Sequence, residues 1–73
     1  MINQLGINLK RCRKLHGWTQ DELGIRAGVN MWTISKIEKG NVKAPRLDTI
    51  LGLAQALGVS LDYLTASGTL NVG

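Results

Sequence analysis

Glycine stops recur along this sequence at the ends of segments whose apolar residues repeat every three or four positions. A left-handed residue after the last turn commonly ends a helix, and glycine adopts that conformation without steric cost. Hydrophobic staples, in which an apolar residue before a capping residue pairs with another four positions after the cap, mark the starts. The stops are Gly17, Gly28, Gly40 and Gly58, and the staples are Trp18 with Leu23, Val29 with Ile34, and Val59 with Leu64. No stretch alternates at period two as a strand would, so the chain is predicted to be all-α.

Five helices are predicted from these signals, at residues 3–16, 20–27, 31–39, 47–57 and 61–66. The second has the best-defined start, because Thr19 and Glu22 can form a capping box. The fourth is predicted to be the central core helix, with an apolar stripe formed by Leu47, Ile50, Leu51, Ala54 and Leu57. The first helix is expected to bury Leu5, Leu9 and Cys12 by the same spacing.

The length of 73 residues suits one small domain. Residues 1–66 are predicted to form it, with 67–73 as a flexible tail. No apolar run approaches the roughly 18 residues that a membrane-spanning helix needs. The single Cys12 cannot form an internal disulfide. These features predict a cytoplasmic protein that is stabilised by packing alone.

Positive charge is concentrated in the first two thirds of the chain. All nine Lys and Arg residues precede Leu47, and the net charge is +4. Basic groups lie at 10–14 and at 36–46, whereas the stretch from Leu47 onward carries only Asp48 and Asp62. This asymmetry indicates a basic face that suits nucleic acid, although composition alone is explained equally well by an ordinary solvated surface.

The second and third predicted helices are separated by only residues 28–30. A short, glycine-containing turn of this kind joins helices that cross steeply, so that the second helix projects outward. Gly24 costs about 1 kcal/mol relative to alanine inside a helix, which indicates that two backbones approach closely there. Because Ile34 and Ile37 must point inward, the third helix is expected to expose Met31, Trp32, Thr33, Ser35 and Lys36.

Several spaced segments resemble the Cro and lambda-repressor-type helix-turn-helix family, also called the xenobiotic-response-element family. The resemblance extends from Leu5 to Leu64 and rests on Arg13 and on the segments GWTQDEL, GV, ISKIEKG and AQALGVSLD. It implies a five-helix, lambda-repressor-like bundle with a helix-turn-helix formed by helices 2 and 3. It further implies that helix 31–39 enters the major groove of double-stranded DNA, within a homodimer on a palindromic operator.

The resemblance also implies roles for individual residues. Base edges would be read by Met31, Trp32, Thr33 and Lys36. Phosphates would be contacted by Gln20, Ser35, Lys39, Asn41, Lys43 and Arg46, and Arg13 with Glu38 would form a structural ion pair between helices 1 and 3. Met31 and Trp32 depart from the polar residues usual in the family, and offer apolar contact to thymine methyl groups and an indole N–H donor.

The function that these observations favour is transcriptional regulation by a repressor, controller or antitoxin. The alternative is a protein-interaction module on the same fold that uses the exposed Met31–Trp32 face. Leu61 and Tyr63, on the last helix, are the predicted dimer contacts. An equally good interpretation is that Tyr63 only covers the core of its own chain.

Catalysis, cofactors and metals are not expected. Cys12 and His16 have the i, i+4 spacing that two metal ligands use, but the sequence holds no other Cys or His to complete a zinc site. We therefore expect Cys12 to be buried and His16 to be solvated. No nucleophile with an adjacent base is recognisable, so the chain is predicted not to be an enzyme.

Overall fold

Five helices make up the described part of the chain. A computed structural model describes residues 4–42 and 44–65. Within these ranges it contains no strand, and the helices are α1 (Gln4–Leu15), α2 (Gln20–Ala27), α3 (Met31–Lys39), α4 (Leu47–Leu57) and α5 (Leu61–Thr65). The all-α prediction and the bounds of α2, α3 and α4 are confirmed, whereas α1 ends at residue 15 and not at 16. The predicted ends at Asn3 and Ala66, and the tail at 67–73, lie outside the described residues.

The predicted capping signals are present where the helix-turn-helix begins. Thr19 Oγ1 accepts a hydrogen bond from the Glu22 backbone N–H at 3.1 Å, and Glu22 Oε1 accepts one from the Thr19 N–H at 2.8 Å. Gly28 ends α2 with φ +69°. A cap of this type stabilises a helix by about 0.5–2 kcal/mol, so the start of α2 is fixed locally. None of the helices in the described ranges is long and apolar enough to cross a membrane.

The core takes one fully buried side chain from every helix. These side chains, each 0% exposed, are Leu9, Leu23, Ile34, Leu53 and Leu64. Cys12, Ile37, Ala54 and Leu57 join the same cluster. Burial of a Leu or Ile side chain contributes roughly 1.5–3 kcal/mol. Since the five contributions meet in one cluster, the position of each helix depends on the other four.

The predicted stripe of α4 is partly wrong. Leu47 is 61% exposed and Leu51 39%, while Leu53, which the stripe omitted, is completely buried. The cause is the approach of α2 on the side of Gly52, where an added Cβ would lie 2.9 Å from the carbonyl oxygen of Ala27. That contact turns the buried arc of α4 toward Gly52 and Leu53, and leaves Leu47 and Leu51 on the outer side.

The crossing of α2 and α3 requires Gly24, as the sequence predicts. A Cβ at this position would lie 2.5 Å from the carbonyl oxygen of Val29 and 3.5 Å from the backbone nitrogen of Met31. The Val29 N–H donates to the Gly24 carbonyl oxygen at 2.9 Å, which holds the turn against the helix. Because the obstructing atoms are backbone atoms, a side chain could be accommodated only by moving α3.

We expect Gly24→Ala to destabilise the domain by up to about 2 kcal/mol, since overpacking that costs about 1–3 kcal/mol exceeds the roughly 1 kcal/mol that alanine gains in helix propensity. The free energy of unfolding in urea measures this loss. Gln55→Ala, at an exposed position of α4, is the control and should stay within about 0.5 kcal/mol of the wild type. A Gly24→Ala variant as stable as the wild type would contradict the close approach.

Candidate nucleic-acid interface

A nearly buried ion pair joins α1 to α3. Arg13 Nε donates to Glu38 Oε2 at 2.7 Å and Arg13 Nη2 donates to Glu38 Oε1 at 3.0 Å, with the side chains 10% and 4% exposed. Arg13 Nη1 also donates to the Trp18 carbonyl oxygen at 2.8 Å. The side-chain hydrogen bonding to Glu38 raises the pKa of Arg13, so the guanidinium stays protonated. Two parallel hydrogen bonds fix the distance and the angle between the guanidinium and the carboxylate, and therefore set the direction of α3 relative to α1.

Gln20 extends this network to the start of α2. Its Nε2 donates to Glu38 Oε1 at 3.1 Å, and the residue is half-buried. The amide nitrogen of Gln20 carries two hydrogens, so one hydrogen bond to Glu38 leaves a second N–H as a potential donor. The C-terminal part of α3 is thus tied to α1 and to α2 through a single carboxylate.

The outward face of α3 is set by what the helix buries. Ile34 and Ile37 are 0% and 2% exposed, as predicted, whereas Trp32 is 69% exposed. Lys36 is also exposed, as predicted. The prediction that Met31, Thr33 and Ser35 are exposed is only partly correct, because the packing of α3 leaves them half-buried. The first turn is held by Asn30, whose Oδ1 accepts from the Trp32 N–H at 2.7 Å. A large indole therefore stands on an ordered turn with most of its surface in water.

A groove of about 470 Å³ runs between α2 and the start of α3. Asp21 and Ile25 line its α2 side, and Met31 and Trp32 line its α3 side. Ile25 is 75% exposed, so the groove joins two large exposed apolar side chains. This surface lies beside the face of α3 that was predicted to read bases.

Four of the predicted phosphate contacts lie at the end of α3 or in its connection to α4. Lys39 and Asn41 are exposed, and Lys43 lies outside the described residues. Arg46 occupies the N-cap position of α4 without a side-chain cap bond. Its Nη2 lies 3.3 Å from Asp48 Oδ2 in a pair whose side chains are 83% and 70% exposed. Such an exposed pair is weak, so Arg46 can exchange Asp48 for another anion at little cost.

The side chains of His16, Trp18 and Arg26 form a stack that the sequence did not predict. The His16 and Trp18 rings lie 4.2 Å apart at an interplanar angle of 15°, and the Arg26 guanidinium lies 4.4 Å from the Trp18 ring. His16 Nε2 is 2.9 Å from the Leu57 carbonyl oxygen, so the ring N–H donates to the end of α4. His16 is exposed, as predicted, but these contacts with Trp18 and with Leu57 were not predicted. No local spacing connects positions 16, 26 and 57, and only the fold brings them together.

Cys12 is buried beside this region, as predicted. Burial raises the pKa of its thiol, which opposes thiolate chemistry. Among the described residues, no group of three or more His, Cys, Asp or Glu side chains is placed to hold a metal ion.

We expect Arg13→Ala to destabilise the domain by about 3–5 kcal/mol, because it leaves the nearly buried Glu38 carboxylate without its cation. Arg13→Lys should lose less stability, since the positive charge remains although the two parallel hydrogen bonds to Glu38 are lost. The exposed pair is a matched control, and Arg46→Ala should cost under about 1 kcal/mol. Thermal and urea unfolding of the three variants test this order. Equal losses for Arg13→Ala and Arg46→Ala would show that burial of the pair does not matter.

Two helices that cross at a short turn, with the second anchored inward by two isoleucines and a buried ion pair, define a helix-turn-helix domain. The sequence profile of the helix-turn-helix family matches residues 9–64. This chain belongs to that family.

Curated relatives agree with this assignment. The chain is 41% identical over 60 residues to the uncharacterized HTH-type transcriptional regulator y4dJ of Sinorhizobium fredii, a match that covers 82% of this chain and 77% of the relative. It is 35% identical over 57 residues to the uncharacterized HTH-type transcriptional regulator YqaE of Bacillus subtilis, where the match covers 78% of this chain. The chain spans only 48% of that second relative. The predicted family and a regulatory rather than enzymatic role are therefore confirmed.

Solved structures show the same fold. The N-terminal DNA-binding domain of SinR from Bacillus subtilis superposes with a TM-score of 0.87 at 26% identity, over 94% of this chain and 100% of that domain. The DNA-binding domain of the P22 C2 repressor superposes with a TM-score of 0.78 at 32% identity, over 96% of each chain. The predicted lambda-repressor-like architecture is thereby confirmed.

Proposed function

We propose that this chain is a sequence-specific DNA-binding transcriptional regulator that inserts α3 into the major groove. The observation that carries the proposal is the rigid presentation of the outer face of α3. Trp32 stands 69% exposed on a capped turn, while the opposite side of the helix is fixed through Ile34, Ile37 and the Arg13–Glu38 pair. An α-helix held outward in this way fits the width of the major groove.

Base contacts are assigned to the outer face of α3. Trp32 and Lys36 are exposed and four residues apart, so they lie on one side of the helix. Met31 and Thr33 flank Trp32 in the first turn, the part of a recognition helix that contacts base edges in this motif. Met31, Trp32, Thr33 and Lys36 are accordingly the proposed base readers.

Phosphate contacts are assigned to the start of α2, to two residues of α3 and to the connection between α3 and α4. They position the domain on DNA without choosing a sequence. Gln20, at the start of α2, has a second amide N–H to offer a phosphate oxygen. The other proposed contacts are Ser35, Lys39, Asn41, Lys43 and Arg46. This distribution matches the concentration of basic residues before Leu47.

A homodimer on a palindromic operator is the form in which we propose that the domain acts. Tyr63 is 47% exposed and Leu61 half-buried on α5, so this end of the bundle offers an apolar surface to a second copy. A symmetric dimer would present two copies of α3 about 34 Å apart, one turn of DNA. Because a regulator acts where its DNA is accessible, we propose a cytoplasmic location.

One observation favours a second candidate function. The groove that joins Ile25 to Trp32 could hold an apolar segment of another protein. In that case the domain would be a protein-interaction module on the same fold. Such binding has no need of the basic residues around α3, and salt dependence distinguishes the two functions.

We expect affinity for duplex DNA to fall steeply with salt, since each neutralised phosphate releases counterions and contributes a slope of about −0.9 in log affinity against log salt. Several contacts by each protomer should add to a steep slope. Fluorescence anisotropy with a labelled duplex, repeated at several salt concentrations, measures it. Absence of DNA binding, or a nearly flat plot, would reject the DNA-binding function and favour the protein-interaction module.

Trp32→Ala and Lys39→Ala should weaken DNA binding in different ways. Trp32→Ala removes a proposed base-reading side chain. It should cost about 1–3 kcal/mol of binding free energy on a site selected from a randomised library, and less on a scrambled duplex. Loss of a phosphate contact should weaken both duplexes by a similar factor and reduce the salt slope by about 1. Competition titrations of each variant against both duplexes test this. The same loss on both duplexes for Trp32→Ala would show that Trp32 does not read sequence.

A further inference from the structure

The outer face of α3 is rich in hydrogen-bond donors and apolar surface and poor in acceptors. The indole of Trp32 has one N–H donor and no acceptor, and the ammonium of Lys36 has three donors and no acceptor. Met31 adds an apolar side chain with only a weakly accepting sulfur. These three side chains therefore recognise acceptor atoms and methyl groups, but not amino groups.

The stronger hydrogen-bond acceptors near the outer face of α3 already accept hydrogen bonds within the protein or lie outside that face. The Glu38 carboxylate is 4% exposed and accepts bonds from Arg13 and Gln20. Asn30 Oδ1 accepts the backbone N–H of Trp32 as the helix cap. Asp21 lines the groove from α2 rather than from α3. On α3 itself, only the half-buried hydroxyl groups of Thr33 and Ser35 offer a further acceptor.

The four bases differ in what they present to such a face. In the major groove, thymine offers a C5-methyl group and the O4 acceptor, and guanine offers the N7 and O6 acceptors. Cytosine offers an amino donor, which calls for an acceptor such as a carboxylate. A reading face made of Met31, Trp32 and Lys36 thus favours thymine and guanine, and has little to offer an unmodified cytosine.

We infer that each half-site presents a thymine methyl group to Trp32 and a guanine to Lys36, so that the domain detects methylation at C5 of a pyrimidine. This inference rests on the proposed DNA-binding function. Trp32 and Lys36 are separated by about 6 Å along the helix axis, which corresponds to about two base-pair steps. At the position read by Trp32, 5-methylcytosine presents the same methyl group as thymine and is bound better than cytosine.

The test changes the DNA and leaves the protein intact. Wild-type protein selects its site from a randomised duplex library, and each thymine of the half-site is then replaced in turn by uracil, which lacks only the methyl group. We expect one position at which uracil weakens binding about fourfold, the factor that corresponds to burial of one methyl group. At that position, 5-methylcytosine should bind about fourfold more tightly than cytosine. Replacement of a nearby guanine by 7-deazaguanine, which lacks N7, should weaken binding by wild type but not by Lys36→Ala.

Protein variants assign the effect to Trp32. Trp32→Ala should bind the thymine and uracil duplexes equally. Leu15→Ala, which removes a 79% exposed apolar side chain from the end of α1, should keep the fourfold preference. Circular dichroism establishes that both variants are folded.

The possible failures are distinguishable. Salt-dependent binding to the selected site with equal affinity for thymine and uracil at every position would overturn the inference and leave the proposed function standing. A preference that persists in Trp32→Ala would also overturn it, and so would selection of half-sites without thymine. Failure to bind any duplex would instead reject the proposed function itself.

Discussion

The Arg13–Glu38 ion pair is the interaction on which the arrangement of this domain depends. It links two residues 25 positions apart in the sequence and is nearly excluded from water. Its hydrogen bonds also reach the Trp18 carbonyl oxygen and, through Glu38, the amide of Gln20. One carboxylate thereby sets the angles among α1, α2 and α3, which apolar packing alone does not specify because hydrophobic contact is non-directional.

The apolar core supplies cohesion with very few side chains. Each helix contributes at least one completely buried Leu or Ile, and the cluster is completed by Cys12, Ala54 and Leu57 and by partly buried neighbours. A domain of this size keeps only a modest net stability after conformational entropy is lost. In such a protein an exposed tryptophan is apolar surface that the core does not use, and binding is the simplest reason for its position.

Local signals allowed most of the fold to be predicted from the sequence. The capping box at Thr19 and Glu22 and the glycines after α2, α3 and α4 fix helix ends through contacts within a few residues, and those bounds were predicted correctly. The face that α4 buries was predicted incorrectly. Its apolar residues are compatible with two different buried stripes, and only the approach of Ala27 to Gly52 determines which stripe is buried. The bond from Gln20 to Glu38 and the contacts of His16 were missed for the same reason, since their partners are distant in sequence. The Arg13–Glu38 contact was anticipated only through resemblance to a family, and the DNA contacts assigned to single residues remain predictions.

The division of α3 into an anchoring side and an outward side has an evolutionary consequence. Ile34, Ile37 and Glu38 hold the helix in place, whereas Trp32 and Lys36 face water and contribute little to folding. Substitutions at exposed positions usually change stability by less than about 0.5 kcal/mol. Duplicated copies of such a gene can therefore exchange their outward residues and acquire new operators while the scaffold is preserved.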